Sequence, residues 1–301
     1  MTFTAKDVGV LRERTGCGMM DCKKALVETG GDMEKAIEFL REKGLAAAAK
    51  KAGRIAADGM VYAVAENNTG VILEVNTETD FVAKNEGFQD FVKKVAGAVA
   101  ANNPADVDAL MNVALESGET VAEALREKIL TIGENIKIRR FAREEGVVSS
   151  YIHGGGRIGV LVKFDADGEV AAKDGFAELA KDIAMQVAAA NPLFLNAAAV
   201  PAETIESEKR ILTEQVINDG KPAAIAEKIV MGKIGKYYKE NCLIEQIFIK
   251  DNDLTVEKFL KNKGIELGAP ISVAAFYRFE KGEGLQKRED NFADEVAGMV
   301  K

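Results

Sequence analysis

The sequence predicts an α+β protein assembled from several small packed units. Three observations predict it. Hydrophobic spacing is helical at the N-terminus, changes to a period of two after Gly59, and turns helical again after Pro201. A strand–helix unit occurs twice in the middle of the chain, which makes the core two related α+β subdomains. At 301 residues the chain exceeds what one hydrophobic core usually serves. The expected divisions are an N-terminal three-helix module at 1–53, core subdomains at 54–145 and at 146–200 with 241–281, a projecting antiparallel helical hairpin at 201–240, and a C-terminal helical module at 282–301.

In the first module Val8, Leu11 and Thr15 form one short stripe, and Thr15-Gly16-Cys17-Gly18 ends that helix, since glycine accepts the dihedrals that stop one. A second helix runs from about Met19 to Thr29, before Gly30-Gly31. Asp32 caps a third, whose buried stripe is Ala36, Ile37 and Leu40. This spacing resembles the three-helix ubiquitin-associated fold. The Ala/Lys-rich stretch Ala46–Lys51 reads as a linker.

Met60–Val64 and Val71–Val75 are β-rich runs split by Glu66-Asn67-Asn68-Thr69-Gly70, a hairpin signal. A long helix with Phe88, Phe91, Val92, Val95 and Val99 on one face ends before Asn103-Pro104. Another, at about Val121–Ile132, precedes strands at Ile136–Phe141, Val147–Ile152 and Ile158–Phe164. The repeat is visible here. Gly70-Val-Ile-Leu leads through Gly87-Phe88 to Asn103-Pro104, and Gly159-Val-Leu-Val leads through Gly175-Phe176 to Asn191-Pro192. Phe88, Phe91, Val95 and Val99 line up with Phe176, Leu179, Ile183 and Val187. After Pro201, Ile205, Leu212 and Val216 form a narrow stripe, Asn218–Pro222 turns the chain, and Ile225, Ile229 and Ile234 return on a second arm. Ile271–Phe279 supplies a last strand, and Phe292, Val296 and Met299 a terminal helix.

Composition narrows the function. A formal charge of −8 argues against a nucleic-acid binder, whose surface must neutralise phosphates. Absence of Trp and 6% aromatics argue against base-stacking platforms. Cys17, Cys22 and Cys242 make no C-x-x-C pair, so structural zinc and a disulfide framework are not expected, and a reducing compartment is. No apolar run approaches the roughly 20 residues that span a bilayer, and nothing at the N-terminus reads as a signal peptide, so the expected location is cytoplasmic.

Catalytic signatures are scarce. With a single histidine, His153, any Ser-His-Asp or Cys-His relay would have to use that residue. Gly154–Gly159 matches G-x-G-x-x-G literally, yet it precedes the strand Val160-Leu161-Val162 instead of opening a helix; a hairpin turn is the better reading. No P-loop sequence occurs. Neither metal nor cofactor is expected. One segment stands out: Thr79-Asp80-Phe81-Val82-Ala83-Lys84-Asn85, between a strand and the helix carrying Phe88. Taken alone, Thr79 or Asp80 reads as that helix's cap and Phe81 as a staple against the core. The second repeat has Glu169 and Val170 at the equivalent place, without the aromatic.

Several stretches together carry a family resemblance. Thr15-Gly-Cys-Gly-Met-Met-Asp-Cys-Lys-Lys-Ala-Leu26, Asn76-Thr-Glu-Thr-Asp-Phe-Val-Ala-Lys-Asn85, Ile132-Gly-Glu-Asn-Ile136, Tyr151–Gly159 and Arg278-Phe-Glu-Lys-Gly-Glu-Gly284 resemble the elongation factor Ts family, in the family's order and over essentially the whole chain. Cys17, where the family commonly has Ala, and Ile247, where Pro is frequent, are small departures. The resemblance implies a non-enzymatic exchange factor acting on the GTPase elongation factor Tu bound to GDP. It places Arg12, Met19 and Met20 against the GTPase domain, and Asp80 and Phe81, within Thr79–Val82, beside its magnesium and phosphate elements. Ile132, Gly133 and His153 match further contact positions, as do Phe292 and Val296 in the terminal helix. The hairpin resembles an arm that supports dimers in some members, so a homodimer or 2:2 complex is an expectation too. Without the resemblance, the residues read best as an interaction module, with a ferredoxin-like α+β enzyme as the rival of a different class.

Overall fold

The structure, a computed structural model, describes residues 3–15, 17–220 and 222–286. Helices and small sheets are mixed along the chain, as an α+β protein requires. The described residues fall into two compact units: the chain up to Tyr62, Leu73–Phe141 and Glu280 onward form one, and Ala63–Ile72 with Ala142–Phe279 the other.

The first unit begins with α1 (Ala5–Thr15), α2 (Met19–Glu28) and α3 (Met33–Lys51). Val8, Leu11, Cys17, Cys22, Ala25, Leu26, Ala36 and Leu40 are their shared core. Asp32 caps α3 by accepting the amides of Glu34 and Lys35, both at 3.1 Å. Ala46–Lys51 is no linker: α3 runs unbroken to Lys51, because alanine and lysine are strong helix formers. The hairpin strands β1 (Asp58–Glu66) and β2 (Thr69–Thr77) follow, then α4 (Asp80–Ala83), α5 (Glu86–Asn102), α6 (Val107–Met111), α7 (Val121–Ile132) and β3 (Lys137–Glu145); the hairpin tip Ala63–Ile72 and the end of β3 from Ala142 count with the second unit. The sheet order is β1-β2-β3. Phe88, Phe91, Val92, Val95 and Val99 are all buried on α5, as their spacing predicts.

The second unit contains β4 (Val147–His153) and β5 (Ile158–Asp165), antiparallel from Val147↔Phe164 to His153↔Ile158, so the glycine run is a hairpin turn. After them come α8 (Gly168–Ala171), α9 (Asp174–Ala190), α10 (Ala202–Asn218), α11 (Ala223–Asn241), β6 (Ile247–Phe248), β7 (Asp251–Thr255), α12 (Val256–Leu267) and β8 (Ser272–Glu280). The order β4-β5-β8 makes a second three-stranded sheet. Phe176, Leu179, Ile183 and Val187 of α9 pack with Val160, Val162, Phe248 and Phe259. On the α10–α11 pair the buried residues are Val216, Ala226, Val230 and Ile234. Ile225, expected in that seam, is exposed; small Ala226 takes the inner position, where helices must approach closely. Within 241–281, read from the sequence only as part of a core subdomain, Val256, Phe259, Leu260 and Leu267 are an ordinary helical stripe.

The repeated motifs sit on elements of matching length and cap geometry. α5 and α9 have 17 residues each and end on left-handed asparagines, Asn103 (φ 46°, ψ 54°) and Asn191 (φ 45°, ψ 56°). α7 and α12 have 12 residues each, start behind threonine caps at Thr120 and Thr255, and end on Gly133 (φ 87°) and Gly268 (φ 87°). Both lead into nine-residue strands, β3 and β8. The terminal helix expected around Phe292, Val296 and Met299 lies outside the described residues.

Candidate functional site

Two residues after β2, the single turn α4 sets consecutive side chains on opposite courses. Residues one apart on a helix diverge by about 100°, so when Val82 is buried its neighbour Phe81 must face out. Phe81 is 76% exposed, and Lys84 Nζ lies 5.8 Å from its ring centroid. Burial of such a ring is worth about 1.5–3 kcal/mol, which the isolated chain forgoes. Asp80 is exposed and pairs loosely with Lys84 at 3.6 Å. The expected staple against the core is therefore corrected, and so is the expected cap. Asn85, not Thr79 or Asp80, caps α5, accepting the Phe88 amide at 3.0 Å. By spacing from the following helix, Val170 matches Val82 and is likewise buried, while Glu169 occupies the Phe81 position. The second copy places a charge where the first places an aromatic.

The backbone beneath Phe81 is held by a neighbouring turn. One carboxylate oxygen of Glu134 accepts the amides of Glu78 and Thr79, both at 3.0 Å, and the other accepts Thr79 Oγ1 at 2.6 Å. In return, Glu78 accepts the Asn135 amide at 2.6 Å, and Asn135 Nδ2 donates to the Arg54 carbonyl at 2.8 Å. Thr77 Oγ1 donates to the Thr79 carbonyl at 2.8 Å. Phe81, Val82, Asn85, Lys128, Thr131 and Ile132 line an open groove of about 490 Å³. Thr79, Asp80, Phe81, Val82 and Ile132 thus meet at one place, beside Gly133, the left-handed residue that ends α7.

Other expected site residues lie on other elements. Arg12 on α1 is exposed, as are Met19 (56%) and Met20 (73%) at the start of α2. His153 belongs to the second unit, at the end of β4, exposed, with Nδ1 3.1 Å from Tyr151 Oη. Phe292 and Val296 are outside the described residues. Glu78, Glu134, Asn135 and Arg54 were missed by the sequence reading; the stretch Ile132–Ile136 was the available signal, but spacing alone does not reveal a hydrogen bond between residues 55 apart. Cys17, Cys22 and Cys242 are free and buried, and burial pushes the Cys242 thiol up to about 11. Among the described residues, no helix is long and apolar enough to cross a membrane.

Fold and site together define a mixed helix-and-sheet protein that presents an aromatic outward on a hydrogen-bonded turn. Residues 78–283 match the family model described as Elongation factor TS. Elongation factor Ts of Clostridium perfringens (strain SM101 / Type A) is 55% identical over 302 residues, covering 99% of either chain. The Elongation factor Ts proteins of Clostridium kluyveri (strain NBRC 12016; 53% over 305 residues, 99% of either chain) and Clostridium novyi (strain NT; 54% over 300 residues, 97% of either chain) are similar to it as well. The chain belongs to the elongation factor Ts family.

Proposed function

We propose that this chain is an exchange factor of protein biosynthesis: it binds elongation factor Tu carrying GDP, drives the nucleotide out by inserting Asp80 and Phe81 near the magnesium and phosphate site, and lets GTP rebind. The observation that carries this reading, beside family membership, is Phe81, 76% exposed on a turn braced from below. Magnesium and phosphate-binding amides hold GDP on a GTPase, and both depend on ordered switch and P-loop geometry. Displacing them takes no acid, base or nucleophile. It takes surface that fits the emptied partner better than the loaded one, and by linkage each ligand weakens the other by the same factor. Each tenfold weakening requires about 1.4 kcal/mol of differential contact. Burying Phe81 in the partner supplies about 1.5–3 kcal/mol, and the Asp80 carboxylate adds repulsion toward phosphate.

The remaining contacts belong to the same reading: Arg12, Met19 and Met20 on the 1–53 module, described as ubiquitin-associated-like; Thr79, Val82, Ile132 and Gly133 around the turn; His153; and Phe292 and Val296 in the 282–301 module. So do the core division at 54–145 against 146–200 with 241–281, the cytoplasmic setting, the absence of direct nucleic-acid contact, and self-association through the 201–240 arm, which sedimentation with and without that arm would test.

The main test mixes the chain with elongation factor Tu carrying fluorescent GDP. Release is expected to accelerate, and Phe81→Ala to lose most of the acceleration while remaining folded. Turnover of a small molecule with no GTPase present, and no effect on GDP release, would overturn the proposal.

A further inference from the structure

We infer that Glu134 is a positioning residue for nucleotide exchange, setting the turn that presents Asp80 and Phe81; this rests on the reading of Phe81 above. Its carboxylate gathers both consecutive amides of residues 78 and 79 on one oxygen and the Thr79 hydroxyl on the other. Thr79 is the residue from which α4 departs, so these three bonds set the direction in which the turn leaves β2. Bonds to an ionised acceptor are stronger and more directional than neutral ones. Thr79 itself makes no side-chain cap within α4; its hydroxyl is committed to Glu134 instead. Glu78, Asn135 and Arg54 cross-brace the same junction.

A brace needed only for folding should recur wherever this fold is built, and the chain contains its own control. Counting from the matched glycines Gly133 and Gly268, the positions of Glu134 and Asn135 are taken in the second copy by Ala269 and Pro270. Neither side chain can hold a backbone amide, yet α8 forms and Val170 is buried as Val82 is. There Lys173 Nζ donates to the Leu267 carbonyl at 2.6 Å, joining the corresponding segments with different chemistry. The carboxylate brace therefore accompanies Phe81, and is absent beneath Glu169. An exposed aromatic with few contacts of its own must be aimed by the backbone beneath it, since misplacement costs rate more than binding.

The test measures fluorescent GDP release from elongation factor Tu across a range of chain concentrations, with Glu134→Ala, Glu134→Gln, Phe81→Ala and the double variant Glu134→Ala/Phe81→Ala. Glu134→Ala is expected to lower the maximal release rate about tenfold or more while the half-saturating concentration moves less than about threefold. Glu134→Gln should keep the maximal rate within about threefold, because its amide oxygen still accepts both N–H groups and its nitrogen donates to Thr79 Oγ1. In the double variant the two losses should fall well short of multiplying, as for groups acting through one element. In the free chain, the amides of Glu78 and Thr79 should exchange hydrogen faster in Glu134→Ala than in the parent. Should Glu134→Ala fail to fold, Glu134→Asp, which withdraws the carboxylate by one methylene, is expected to show the same rate loss. A slow Phe81→Ala beside a full-rate Glu134→Ala, or losses that multiply, overturns the inference alone. Full-rate release by Phe81→Ala overturns the reading of Phe81 and this inference with it.

Discussion

The Nε of Arg140 lies 2.6 Å from a carboxylate oxygen of Glu74, whose side chain has no exposed surface. Arg139 approaches the same carboxylate at 3.0 Å, Asn76 Nδ2 at 3.1 Å and the Gly282 amide at 2.8 Å. A charged strand residue is thereby satisfied inside the first unit, and the chain after β8 is tied to β2. Gly282 is required there: its φ is +69°, and a Cβ would meet the Ala57 carbonyl oxygen at 2.1 Å.

Burial by itself would raise the Glu74 pKa, but the Gly282 amide, Asn76 and Arg140 outweigh it and hold the carboxyl below its ordinary value. A depressed folded pKa contributes stability that is present above the unfolded value, about 4.3, and is lost as pH falls through the folded one. Stability is therefore expected to decline below about pH 4.3, and Glu74→Gln to flatten that decline. At neutral pH the same variant should cost about 3 kcal/mol, toward the low end for a broken buried pair because both guanidinium groups are partly exposed. Urea unfolding between pH 3 and 7 checks both statements; an unchanged acid limb contradicts the first.

Phe81 and Val82 are expected to separate stability from exchange. Phe81→Ala removes an exposed ring and should alter unfolding free energy by less than about 0.5 kcal/mol. Val82→Ala empties a buried site and should cost about 1–3 kcal/mol. Thermal and denaturant melts of the two variants provide the comparison, and a strongly destabilised Phe81→Ala would mean that the ring packs inward.

Asn103 and Asn191 should respond alike, since both end 17-residue helices in the same left-handed conformation and precede proline. Alanine at either place is expected to cost about 1 kcal/mol, and glycine only a few tenths, because a Cβ is penalised at positive φ. Chemical denaturation of the four variants is the measurement. Unequal costs at the two positions would show that the caps are not equivalent.

Elements with a strong local signal were legible in the sequence. The pattern at about Val121–Ile132 matches α7, the α5 stripe from Phe88 to Val99 is buried, and the glycine run at 154–156 is the expected hairpin turn. Signals of mixed meaning misled. Ala46–Lys51 has the composition of a linker and the propensity of a helix, and the propensity prevails. The hydrophobicity of Ile225 points inward, but the α10–α11 seam takes the small Ala226. At the candidate site the odd segment Thr79–Asn85 was visible, whereas the residue that aims it was not.

By itself, the sequence determined the α+β class and the family, and it showed the recurring motifs, because helix periods, glycine stops and long motifs are local and survive as strings. Tertiary structure decided that Phe81 faces solvent while Val82 and Val170 face inward, that Asn85 caps α5, and that Glu134 holds both the amide and the hydroxyl of Thr79. The physical reason is distance along the chain: a carboxylate finds its amides across 55 residues only after helix and strand have packed, and no periodicity records that meeting.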